Sequence, residues 1–133
     1  MDGAFKVHFD AQHRLSIDRL AGLVDTKMIE QLLAQTQLLE QSDPTPFNRL
    51  LDLTDVIELH LNGPQVLALS KSRRAATAHR PRVRVAIVAP NPLANGLARV
   101  YETLMEGSQE EVVVFWDSRM AADWLGVPDE IGR

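Results

Sequence analysis

Residues 82–107, RVRVAIVAPNPLANGLARVYETLMEG, contain a strand, a turn and a helix in direct succession. The segment RVRVAIVA is short and largely apolar, as in a strand that is covered on both faces. At the turn, Asn91 is a suitable N-cap residue, Pro92 fits the first helical position, and Gly107 is a helix stop. A buried strand followed at once by a capped helix is the repeating unit of a parallel α/β sheet.

The same unit lies on both sides of this stretch. Upstream, FNRLLDL is a short apolar run between breakers, and it precedes a helix that Asn62 caps, Pro64 opens and Pro81 ends. Downstream, EVVVFW predicts a last strand, and DSRMAADWLG predicts a last helix from Asp117 to Gly126.

The N-terminal part predicts a β-hairpin and one further helix. FKVHF at 5–9 alternates apolar and polar residues, and RLSID at 14–18 continues the alternation after a polar turn. Apolar residues at helical spacing then predict a helix from about residue 25 to 41, with Asp25 as its N-cap and SDPTP as its stop.

These elements follow one another in the order ββαβαβαβα. They predict a single α/β domain over residues 1–133, built on a mixed, mostly parallel open sheet of about five strands. The N-terminal strand is expected at or near an edge, and four helices are expected to cover the sheet. The expected core residues are Val7, Ile17, Ile29, Leu32, Leu51, Leu53, Val85, Ile87, Leu97, Val114 and Trp124.

Composition predicts a cytoplasmic protein. The absence of cysteine excludes disulfides and thiolate sites and fits a reducing compartment. The sequence has no signal-peptide pattern and no run of 18 apolar residues, so no membrane span is expected. A net charge of −4 argues against a nucleic-acid binder.

Charge is unevenly distributed along the chain. Residues 59–101 contain seven Lys or Arg and no acid, whereas the parts before and after them are acidic. On the second helix, Val66, Leu69 and Ala76 are predicted to face the sheet. The residues predicted to face outward, together with a base that follows the helix, form a candidate surface for an acidic partner or an anionic headgroup: Leu67, Lys71, Arg74 and Arg80. The alternative is that these bases only favour the negative end of the helix dipole.

A second candidate site lies where the third and fourth strands are predicted to end. Ligands of open parallel sheets bind at the carboxyl ends of strands, so Thr54, Asp55 and Asn91 are expected to converge on a ligand crevice there. The alternative is that Asp55 and Asn91 only cap turns and helices.

Motifs for catalysis are absent from the sequence. It contains no GxGxxG, no GxxxxGK[ST] and no GxSxG, and its four histidines lack metal-ligand spacing. We therefore predict no catalytic residues, no metal site, no cofactor and no enzymatic activity.

Four segments resemble one known family. The N-terminal hairpin, RLLDLTDV, RVAIVAPNPLANGLARVYETL and VVVFWDSRMAADWLG are similar to the SpoIIAA-like branch of the STAS domains, over about Phe5 to Leu125. The resemblance implies a small cytoplasmic α/β domain with a mixed sheet. In the founding members a serine at the start of the second helix is phosphorylated by a partner kinase that is also an anti-sigma factor. Here that position holds Asn62, and no hydroxyl residue lies from His60 to Leu69, so the switch chemistry does not carry over.

Two functions remain open at this point. The first is a non-enzymatic regulatory or protein-interaction module that lacks the phosphorylatable serine, with a protein partner and a homodimer both possible. The second is a binder of a small anionic or amphipathic ligand, in the crevice near Asp55 and Asn91 or beneath the last helix. Similarity of some members of the branch to lipid-binding Sec14-type domains is consistent with the second.

Overall fold

The computed structural model describes residues 2–132 and contains five strands and four α-helices in the predicted order. The elements are β1 Ala4–Asp10, β2 Leu15–Asp25, α1 Thr26–Ser42, β3 Asn48–His60, α2 Gly63–Thr77, β4 Val83–Val88, α3 Pro92–Leu104, β5 Glu110–Phe115 and α4 Ser118–Leu125, followed by a 3₁₀ turn at Asp129–Gly132. The predicted fold class is confirmed.

The five strands form one sheet in the order β1-β2-β3-β4-β5. β1 pairs with β2 in antiparallel fashion at one edge, and the other three pairs are parallel. Right-handed crossovers that all advance in the same direction place α1, α2 and α3 on one face of the sheet. The opposite face is covered by α4, whose Ala121 and Leu125 pack with Ile17 and Leu50.

Side chains at the helix starts satisfy the backbone N–H groups left free there. Asp25, Asn62, Asn91 and Asp117 are the N-caps of α1, α2, α3 and α4. Asn62 and Gln65 form a reciprocal capping box, which the AsnGlyProGln sequence makes possible. All four caps were predicted, because each Asn or Asp directly precedes a run with helical periodicity.

The third strand is much longer than predicted. β3 pairs with β4 only as far as Asp52, but it continues beside β2 to the pair Asp25 and His60. The register shifts twice along this extension, and Gly22, with φ +76°, lies at the second shift. Thr54 and Asp55 therefore lie inside a strand and not at its end, which corrects their predicted position.

The predicted core is found in two layers on either side of the sheet. Of the eleven residues, Ile17, Leu32, Leu53, Val85, Ile87 and Val114 are buried, while Val7, Ile29, Leu51 and Trp124 are half-buried and pack against them. Leu97 is half-buried in α3.

The inward face of α2 differs from the prediction in one turn. Val66 and Leu69 are buried as expected, but Ala76 is only half-buried, and Arg73 and Thr77 occupy the buried positions instead. No helix among residues 2–132 is long and apolar enough to cross a membrane.

Candidate functional site: an apolar cavity beside a buried ion cluster

A cavity of about 90 Å³ lies between the sheet and the three helices that share one of its faces. Fourteen aliphatic side chains line it: Ile29, Leu32, Leu33, Leu51, Leu53, Leu59, Leu61, Val66, Leu69, Val85, Ile87, Ala94, Leu97 and Ala98. The other two lining residues are Arg49 and Tyr101. The wall is therefore almost wholly apolar, with polar groups from two residues.

The cavity extends from the carboxyl edge of the sheet toward its interior. Ile29 and Ala94 come from the first turns of α1 and α3, and Leu59 and Leu61 come from the end of β3 and the residues after it. Arg49 lies near the start of β3, and Tyr101 lies in the last turn of α3. In open α/β sheets the carboxyl edge is where ligands bind.

Arg49 and Tyr101 form what we call the polar end of the cavity, and this end adjoins a cluster of buried charges. The guanidinium of Arg49 donates to Asp18 and to Glu110, each at 3.3 Å. Arg73 donates to Glu110 through Nε and Nη2, at 3.2 and 3.1 Å, and also to Glu40. All five side chains are at least nine-tenths buried. The cluster joins α1, α2, β2, β3 and β5.

A sixth residue brings the charges of the cluster into balance. Arg80 donates to the carbonyl oxygen of Glu40 at 3.1 Å, and its Nε lies 3.9 Å from the Glu40 carboxylate. Three guanidinium groups thus face three carboxylates, those of Asp18, Glu40 and Glu110. We call these six residues the ion cluster.

Arg49 keeps its charge despite complete burial. Burial alone lowers its pKa, but the carboxylates of Glu110 and Asp18 outweigh this effect and raise the pKa above its usual value. Its Nε is nevertheless buried without a hydrogen-bond partner among the described residues.

Tyr101 presents a second polar group that is not hydrogen-bonded within the described part of the chain. Burial, followed by the negative charge of Glu110, raises the pKa of Tyr101 well above its usual value. Its hydroxyl is therefore protonated at neutral pH and can donate a hydrogen bond.

The basic run that suggested a docking surface is largely neutralised within the protein. Besides Arg73 and Arg80, which belong to the ion cluster, Arg82 and Arg84 lie 3.7 and 3.8 Å from Glu111. The run contains no acid of its own, but β5 lies beside β4 and brings Glu111 close to it.

The predicted partner surface is only partly assembled. Leu67 and Lys71 lie one turn apart on the exposed side of α2, where Leu67 is 39% exposed. Arg74 is exposed too, but its guanidinium donates to the carbonyl oxygens of Leu104 and Glu106 at the end of α3. Arg80 points instead to the end of α1 and is not part of the same surface. Within the described residues, Lys71 makes no ion pair.

The predicted crevice at the strand ends is not assembled. The Thr54 hydroxyl and N–H both donate to Asp52, and Asp55 is exposed in the middle of β3. Asn91 accepts hydrogen bonds from the N–H groups of Leu93 and Ala94. The capping alternative therefore describes Asn91, and Asp55 caps no helix.

Histidines and carboxylates do not assemble into a metal site in the described part of the chain. The two close contacts of this kind are pairs, His13 with Asp10 and His60 with Glu58, each at 2.9 Å.

The sequence contained a signal for the ion cluster that charge counting hides. Arg73 is in helical phase with Val66, Leu69 and Thr77 on the buried side of α2. Glu110 lies on the same buried side of β5 as Val112 and Val114, which follow it at intervals of two residues. A charged residue in phase with an apolar stripe is buried with it and has to be paired.

Comparison with known proteins supports the fold. No protein-family model matches the chain, and no curated protein matches it. Among solved structures, the chain is similar to an uncharacterized protein of the DUF3478 family from Shewanella loihica PV-4, which has a SpoIIAA-like fold. The two are 24% identical, the alignment covers 92% of this chain and 93% of that one, and the TM-score is 0.55. The resemblance noted in the sequence therefore holds for the architecture, and the chain has a SpoIIAA-like fold.

Proposed function

We propose that the protein is a non-enzymatic binding module whose cavity takes a small amphipathic molecule. The observation that carries this proposal is the apolar cavity at the carboxyl edge of the sheet, which ends in the polar groups of Arg49 and Tyr101. Small-molecule sites commonly combine an apolar wall with a few placed polar groups. The cavity has this composition.

The same geometry favours binding over catalysis. The charged residue that lines the cavity, Arg49, is held between two carboxylates, and the other lining side chains apart from Tyr101 are aliphatic. Acid–base or nucleophilic catalysis needs a group that can exchange a proton near neutral pH. Neither a permanently charged guanidinium nor a tyrosine with a raised pKa supplies one.

The size of the cavity sets the size of the ligand. An apolar cavity of about 150 Å³ accommodates benzene. By the same ratio, a cavity of about 90 Å³ takes an apolar body of about four carbon atoms.

Filling the cavity tests the proposal. Ala98 lines it from α3 and is 7% exposed, so Ala98→Leu places extra methyl groups inside it. In a ¹H–¹⁵N NMR titration with 1-butanol, we expect saturable shifts at Ala94 and Leu97 in the wild type and their loss in the variant. The matched control is Ala75→Leu, on the exposed side of α2, which should bind 1-butanol as the wild type does. An unsaturable response, or one that survives in Ala98→Leu, would contradict the proposal.

Protein interaction remains a second candidate function, supported by one observation. Lys71 is exposed without an ion pair among the described residues and lies beside the half-exposed Leu67. These two residues fit an acidic partner with one apolar contact. Charge reversal by Lys71→Glu should weaken binding of an acidic probe such as polyglutamate, whereas Lys27→Glu on α1 should not. Equal effects of the two variants would remove this candidate.

A further inference from the structure

We infer that the polar end of the cavity selects a neutral ligand with a hydrogen-bond acceptor, such as an amide, a ketone or an alcohol, over a carboxylate. This inference rests on the proposed function, because it concerns the same cavity. It narrows the expected ligand from anionic or amphipathic to neutral and amphipathic.

The groups offered to a ligand at the polar end are hydrogen-bond donors. Arg49 is nine-tenths or more buried, and its Nε–H has no partner within residues 2–132. A guanidinium has no acceptor atom. Tyr101 adds a protonated hydroxyl that is likewise unbonded to the described residues. A ligand that satisfies these donors must present an acceptor oxygen, and a buried donor without a partner favours binding such a ligand.

The charge of Arg49 is already matched and does not call for an anion. Asp18 and Glu110 each lie 3.3 Å from its terminal nitrogens. Glu110 is also close enough to Tyr101 to disfavour a negative charge on the phenol. The same carboxylate would disfavour a negative charge on a ligand held at that hydroxyl.

The balance of the ion cluster leads to the same preference. Its three guanidinium groups and three carboxylates are mutually paired. A ligand carboxylate would bring a fourth negative charge next to guanidinium groups that are already paired with the cluster's own carboxylates, which is costly. A ligand ammonium would meet Arg49, so a cation is disfavoured as well.

Isosteric ligands test the selection directly. Butanamide and butanoate have the same shape and differ in charge, and at pH 7.5 butanoate is ionised. By NMR titration we expect butanamide to bind at least about tenfold more tightly than butanoate. Saturable binding of butanoate as tight as that of butanamide would overturn the inference and leave the proposed function standing.

A conservative variant tests the role assigned to Tyr101. Tyr101→Phe keeps the ring and removes the hydroxyl, so the affinity for butanamide should fall about three- to tenfold. Xenon, which occupies apolar cavities without hydrogen bonds, should bind the wild type and the variant equally. A fall in affinity for both probes would show that Tyr101 acts through packing. An unchanged affinity for butanamide would show that the Tyr101 hydroxyl does not contact the ligand. Either result overturns the inference. If butanamide, 1-butanol and xenon all fail to bind the wild type, the proposed function is wrong as well.

Discussion

Arg73 in α2 donates from both Nε and Nη2 to the carboxylate of Glu110, 37 residues later at the start of β5. Neither side chain is more than 2% exposed. The pair fastens the C-terminal half of α2 to the sheet. It also anchors Glu110, which in turn holds Arg49 at the polar end.

Removal of one partner of this pair should strongly destabilise the fold. Arg73→Met keeps most of the side-chain volume but leaves Glu110 and Glu40 without their shared guanidinium. We expect a loss of about 3–5 kcal/mol in the free energy of unfolding, since an unpaired buried charge is costly. Urea unfolding followed by circular dichroism measures it.

Lys71→Met is the matched control, because Lys71 lies on the same helix and is exposed. Its effect should stay within about 0.5 kcal/mol. A loss of similar size in both variants would show that the ion cluster contributes little to stability.

Tyr101 offers a direct optical measure of the environment at the polar end. It is the only tyrosine in the chain, so absorbance at 295 nm reports its ionisation alone. A free tyrosine ionises at about pH 10. Burial raises the pKa of Tyr101, so its hydroxyl should remain protonated in the folded protein at that pH.

The sign of the linked stability follows from the direction of this shift. The folded state holds the proton more tightly than the unfolded state, so the contribution is present below about pH 10 and is lost as the pH rises further. Tyr101→Phe should therefore lose less stability than the wild type between about pH 10 and 11. Half-ionisation of the folded wild type at about pH 10 would contradict the prediction.

The pKa of Asp43 gives a local test at the hairpin end of the sheet. The Arg14 guanidinium, 2.9 Å from the carboxylate, holds the pKa of Asp43 below its usual value. Arg14→Gln should raise that pKa toward about 3.9, as measured by NMR titration. The stabilisation linked to this shift is present above the usual pKa and disappears as the pH falls through the lowered value.

Asp10 serves as the internal control for that titration. Its pKa is also lowered, but through hydrogen bonds with His13. It should not respond to Arg14→Gln, and a parallel rise at Asp10 would indicate a general change in the fold.

The order of helices and strands could be predicted because helix caps and strand ends have local signals in the sequence. Asn62, Asn91 and Asp117 each precede a helical pattern, and the apolar runs at β4 and β5 are short and bounded by breakers. The end of β3 was missed because Thr54 and Asp55 read as a turn. Hydrogen bonding to β2 nevertheless continues the strand to His60. Such pairing with a neighbouring strand cannot be deduced from the propensities of the residues themselves.

The cavity and the ion cluster could not be predicted in the same way. Arg49 and Glu110 are 61 residues apart, and their contact depends on strand order rather than on local spacing. Counting charges along the chain placed Arg73, Arg80, Arg82 and Arg84 in an uncompensated basic segment. The fold pairs each of them with an acid from another segment.

Asn62 allows a last prediction about the start of α2, where the founding members of the resembling family carry their phosphorylated serine. Its side chain accepts from the N–H of Gln65 at 2.9 Å, and Gln65 accepts from the N–H of Asn62 at 2.9 Å. Asn62→Ala should cost about 1 kcal/mol, because it removes the cap, whereas Asn62→Ser should cost less than about 0.5 kcal/mol, because serine caps as well as asparagine. Urea unfolding distinguishes the two. Residues 56–69 contain no hydroxyl side chain, so intact-mass measurement after incubation with an anti-sigma-type kinase should show no phosphate there in the wild type. If Asn62→Ala and Asn62→Ser were equally destabilising, the residue at this position would act through contacts other than the cap.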